Sequence, residues 1–237
     1  MKQKITKWLL LFACINLFIF ATACNNTTES LQFQQIDGKQ EYCVVGVGNV
    51  SSKDITIPST YNGLPITSIG DEAFYECTHL TSITIPDSVT SIGDNAFQFC
   101  NFLTQVTIPD SVISIGSMAF ANCSRLTNTT LPNSVTKIGN RAFWDCNSLT
   151  KVILPDSVTN IGHYAFGGCD RLFKVYIPSS VITVGKRVFA YSLCLNTIHC
   201  EVESKPDGWH DDWNKKYSEL DDDIVVFDVE WGYTGNN

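Results

Sequence analysis

The sequence predicts a mainly β solenoid, a single coil of short strands stacked rung upon rung. Three observations carry that expectation. A motif of 23 residues recurs, so that Cys77, Cys100, Cys123, Cys146 and Cys169 stand evenly apart, and periods of this length belong to stacked repeats. Within each unit a run such as Val106-Thr-Ile108 alternates apolar and polar letters, as a strand with one buried face does. Glycine and proline return at fixed places, Gly70 to Gly185 and Pro86 to Pro178, and punctuate every turn.

One unit shows why each element forms. In Leu103-Thr-Gln-Val106-Thr-Ile108-Pro109 the strand points Val106 and Ile108 inward, and Pro109, lacking an amide hydrogen, ends it. Asp110 and Ser111 form a turn. Val112-Ile113-Ser114-Ile115 makes a second short extended run before Gly116, which suits a left-handed or crowded corner. Asp71, Asp94, Ser117 and Asn140 follow the glycines and are good N-caps, so a short helical turn is expected after each. It would set Ala119 and Cys123 on one inward face. About six such repeats are readable between Ile66 and Cys200.

Solenoid ends need covers. Residues 31–65 hold a hairpin around Asp37-Gly38, taken as the N-terminal cap with a first partial repeat. Residues 66–200 are the solenoid proper. The pattern then decays, with Ser192 in the cysteine column and Cys200 in an isoleucine slot, and residues 201–237 are expected to form the C-terminal cap. Val225-Val226-Phe227 and Val229-Glu-Trp231 suggest its closing strand or hairpin.

The first residues set the compartment. Met1 to Lys7 carries three lysines, Trp8 to Phe20 is almost wholly apolar, and Ala21-Thr22-Ala23-Cys24 follows. That order is an export signal, residues 1–23, too short to span a bilayer comfortably. The last four letters resemble a lipobox, which would lipidate Cys24 and anchor the chain to a membrane through a polar tether, residues 24–30. An ordinary Ala-x-Ala site ending at Ala23 is the alternative and predicts a freely secreted protein. The chain carries a net charge of −8, more negative still without its leader, so nucleic acid is not an expected partner.

The ladder of thiols could be chemistry or packing. Rungs about 4.8 Å apart are close enough for a disulfide, but side chains in register project in parallel and resist the required torsion. A straight column of thiols does not converge on a metal. Cys77, Cys100, Cys123, Cys146 and Cys169 are therefore expected to be reduced core residues beside the column of Phe97, Phe120, Phe143 and Phe166. Whether Cys43, Cys194 or Cys200 form disulfides stays open.

Outward letters of the main strands are the place for recognition. Early rungs are small and polar, whereas late rungs collect Lys151, Ile153, Lys174, Tyr176 and His199, a basic and aromatic patch on an acidic chain. Ordinary drift of exposed strand residues is the competing explanation. His210 beside Asp211 and Asp212, with the acidic run Asp221 to Asp223 nearby, is a weak metal candidate, and Gly46-Val-Gly48 lacks the third glycine of a dinucleotide loop. No cofactor, bound metal or catalytic constellation is expected. Thr129 stands in an otherwise apolar inward column, where its hydroxyl must find a partner or weaken the rung.

The pattern V-x-x-I-G-x-x-A-F-x-x-C-x-x-L-x-x-I-x-I-P resembles the BspA-like leucine-rich-repeat proteins of bacterial surfaces and mucosal parasites. The resemblance covers residues 43 to 200. It extends to Tyr61-Asn62-Gly63-Leu64-Pro65, to the stretch from Cys200 to Trp209, and to Trp231-Gly232-Tyr233. It implies a right-handed leucine-rich-repeat superhelix and a non-enzymatic surface protein, adhesin-like toward host proteins or glycoproteins such as fibronectin and fibrinogen; a monomer is expected. A passive spacer is the alternative, and an enzyme a distant third. No ligand-contact residues carry over, because the shared motif is the core.

Overall fold

A computed structural model describes residues 31–48, 52–127, 129–216 and 225–234. The expected export signal (residues 1–23), the expected lipidation site Cys24 and the expected tether lie outside them. The chain is a leucine-rich-repeat β-solenoid of about seven turns.

Most rungs supply two short strands because each unit holds two alternating runs. The shorter runs pair in parallel, as in Ser91↔Ser114 and Ile92↔Ile115. They form the long sheet from Tyr42–Val47 to Thr183–Val184, with the hairpin strand Leu31–Gln35 antiparallel at its end. The longer runs form the second side, with Ile83 opposite Val106 and Val152 opposite Val175. This side is in two pieces, Asp54–Thr56 to Gln105–Thr107 and Lys151–Ile153 to Asp228–Trp231. On the rung between them, none of the described residues among 127–131 is in a strand.

That rung carries Thr129. Its Oγ1 is buried with no hydrogen-bond partner among the described residues, a cost that an apolar residue at this position would not incur.

The third side departs from the expected helical turns. Among the described residues there is no helix. Two columns of non-glycine residues take the left-handed conformation instead, including Met118 (φ 53°), Arg141 (φ 53°) and Tyr164 (φ 56°). The reason is that their amides are committed to the next rung. Met118 N–H donates to the Asn140 carbonyl, Phe120 to Ala142 and Asn122 to Trp144, at 2.7–2.8 Å. A helix would turn those donors back along its own axis. The expected N-caps also work across rungs, because Asp71 Oδ1 accepts from Asp94 N–H and Asp94 Oδ1 from Ser117 N–H.

The corner glycines serve close approach. A Cβ on Gly139 would lie 2.4 Å from the Gly116 carbonyl carbon, and the φ of Gly139 is not in the left-handed range.

Inside, Phe74, Phe97, Phe120, Phe143, Phe166 and Phe189 stack with centroids 4.9–5.8 Å apart and planes within 13°. Such spacing suits offset aromatic stacking. Beside them Cys77, Cys100, Cys123, Cys146 and Cys169 are free and buried. The column is more than small hydrophobic filler. Cys100 Sγ donates to the Phe74 carbonyl at 3.1 Å, and Cys123, Cys146 and Cys169 repeat the bond at 3.2–3.3 Å. Where the column changes to Ser192, its hydroxyl donates to the Phe166 carbonyl at 3.2 Å. The position therefore calls for a small donor, which Ser and Cys supply and Val does not. At the far end Trp209, Trp213 and Phe227 are buried, and Trp209 Nε1 donates to the Val181 carbonyl.

Candidate functional site

The five residues singled out on the late rungs come together on one face. Parallel pairing sets Lys151 beside Lys174 and Ile153 beside Tyr176, and then Tyr176 beside His199. Because alternate residues of a strand share a face, Lys174 and Tyr176 project together. The Tyr176 and His199 rings stack at 5.0 Å and 21°. The Lys174 ammonium lies 4.9 Å from the Tyr176 ring centroid, within cation–π reach.

The C-terminal segment completes the cluster. Asp228–Trp231 adds a parallel rung, with Glu230 opposite His199, and Glu230 Oε2 lies 2.7 Å from His199 Nδ1. Gly232 (φ 68°) then turns the chain back, so that Tyr233 N–H donates to the Cys200 carbonyl. Its ring comes 4.6 Å from His199 and 5.3 Å from Tyr176. Glu230 and Tyr233 were not among the residues expected here. The alternation in Val229-Glu-Trp231 was the available signal, but the long spacing from Cys200 hid its register.

Electrostatics tie the cluster together. The Tyr176 phenol is held below its ordinary pKa, first by its polar contact with Lys174 and then by the Tyr233 hydroxyl. The same contact raises Lys174, and Tyr233 is raised by its neighbour Tyr176. Tyr176 is only 9% exposed, so its ring is fixed, while Lys151 is open to solvent.

Other candidates are engaged elsewhere. Asp211 pairs with Lys205 at 2.7 Å, and Asp212 pairs with Lys186 and Lys215. These acids near His210 therefore balance lysines. The acidic run 221–223 lies outside the described residues.

Residues 47–105 and 90–205 match the family described as BspA type Leucine rich repeat region, in six copies. The chain belongs to that family. Among solved structures, this BspA-type chain is 28% identical to a leucine-rich-repeat protein of T. pallidum, covering 75% of this chain and 86% of that one at a TM-score of 0.70. A leucine-rich-repeat protein from Bacteroides ovatus is 31% identical over 74% of this chain and 47% of its own, at a TM-score of 0.67. A leucine-rich cell surface protein from Faecalibacterium prausnitzii is 30% identical over 87% and 62%, at 0.63. No curated protein matches the sequence.

Proposed function

We propose that this BspA-type protein is exported to the cell surface, held there through Cys24, and binds a protein or glycoprotein partner through the outer face of its late rungs. It works as a scaffold and not as an enzyme, as repeat proteins of this family normally do. The observation that carries the reading is the fixed cluster of Lys174, Tyr176, His199 and Tyr233 on an otherwise acidic chain. Buried aromatic anchors with a flanking cation are what binding hot spots use. Export rests on the leader and on the likeness to a cell surface protein.

The test is binding to immobilised surface glycoproteins, fibronectin and fibrinogen among them, compared with a variant in which Lys151, Lys174 and Tyr176 are all changed to Ser. Binding lost in that variant supports the assignment. Unchanged binding moves the site to the caps or another side, and indifference to every surface protein favours a spacer. Incorporation of a labelled fatty acid that disappears in Cys24→Ala checks the anchor.

A further inference from the structure

We infer that the ligand of the late-rung face is an acidic glycan, a saccharide chain bearing carboxylate or sulfate groups. The inference rests on that face being the binding face. Four cations lie on or lead into this side of the coil. Lys151 and Lys174 sit on neighbouring rungs, about 4.8 Å apart. Arg125 and Arg171 are exposed at the corners leading into this side, two repeats apart. None of the four is in an ion pair among the described residues, and while Lys53, Lys137, Arg141 and Lys216 share that state, these four share one side of the coil. In a chain with 24 acidic and 16 basic side chains, acids were available to neutralise them. Four cations on a single side, with no carboxylate partner among the described residues, form a surface complementary to an anion.

Two features favour a saccharide over an acidic peptide. The free edge of the sheet is the strand Asp228–Trp231, whose Asp228 and Glu230 would repel an acidic peptide adding as a further strand. The face itself offers hydroxyls, ammonium groups and aromatic carbon. Tyr176 and Tyr233 bring phenols, and Phe173, 60% exposed, lies between Arg171 and Lys174. Phe102 lies under the Arg125 guanidinium at 4.1 Å. Charge-assisted hydrogen bonds to acid groups and amphipathic rings beneath sugar carbons suit a hydroxyl-rich anion. Asp170 borders the face at its corner and limits it on that side.

Calorimetric titration of the full-length protein with a heparin octasaccharide, a hyaluronan oligosaccharide and a polyglutamate peptide tests this. At least one glycan should bind, with affinity falling tenfold or more in 0.5 M salt and tenfold or more in K151S/K174S. R125S/R171S should weaken it several-fold. K53S/K137S, with the same change in charge elsewhere, should bind as the parent does, and unchanged thermal melts exclude misfolding. Binding of neither glycan overturns the inference, as does polyglutamate binding as tightly as the glycans. If neither glycan binds but the Ser variant at Lys151, Lys174 and Tyr176 still loses its protein partner, only the glycan assignment falls. If a glycan binds equally to K151S/K174S, the assignment of the binding face falls with it.

Discussion

The two pieces of the second side share one interior and differ outside. From Asp54–Thr56 to Gln105–Thr107 the outward residues are Asp54, Ser82, Gln105 and a column of threonines, and Asp54 and Ser82 are bonded to each other. Thr81 and Ser82 donate to the Asp54 carboxylate, and Thr104 Oγ1 donates to the Thr81 carbonyl. From Lys151–Ile153 onward the same positions carry ammonium groups and rings that bond sideways to one another and present charge to solvent. Inward, Val106 and Val152 occupy equivalent places, each 4% exposed. An unchanged core thus lets the two pieces carry different outer faces, because the inward letters set the register and leave the outward ones free to vary.

If the interior is truly shared, anything that strikes its columns should melt both pieces together. Alkali is the strongest such blow. Burial pushes Cys123, Cys146 and Cys169 well above the ordinary thiol value of 9.0, and Cys200 up to about 12. The unfolded chain releases these protons from pH 9 upward while the folded chain keeps them, so stability is whole below pH 9 and falls as pH rises. The loss is about 1.4 kcal/mol per thiol for each pH unit beyond 9. Denaturant titrations at pH 8, 9 and 10 measure it, and a flat profile would show that the thiols ionise within the fold.

Phe120→Ala, next to the rung where the sheet parts, should cost about 3–5 kcal/mol. A single cooperative transition in calorimetry is expected, and two separate melts would show that the pieces fold independently. Cys123→Ser should stay near the parent, as Ser192 indicates, whereas Cys123→Val leaves the Phe97 carbonyl without its donor and should cost about 1–3 kcal/mol. Equal melting temperatures for the two variants would show that the thiol bond is incidental. Smallest of all, Thr129→Val should be neutral or stabilising by about 1 kcal/mol. It should slow amide exchange over residues 127–131 as the rung joins the ladder. A sharp drop in the melt would show that the hydroxyl has a partner.

Much of this was legible in the sequence because the repeat is strict. The column of Phe97, Phe120 and Phe143, both strand runs and the hairpin at Asp37-Gly38 follow from spacing and turn chemistry. The third side was not legible. Met118, Tyr164 and Phe99 carry no mark of a left-handed backbone, since that conformation is imposed by amides reaching the neighbouring rung. The donor role of the cysteines was hidden for the same reason, as the accepting carbonyl lies 26 residues away. On the late-rung face Lys174, Tyr176 and His199 were visible as a column, whereas Tyr233 reaches them only through the turn at Gly232.

The last rung hands its outstretched amides to the C-terminal segment, where Arg187 N–H meets the Asp212 carbonyl and Val188 N–H meets that of Trp213. The segment is thereby a stopper cut to the cross-section of the coil. Without it the blunt end would offer another molecule's first coil the same footing that each coil offers the next, and molecules could thread into a filament.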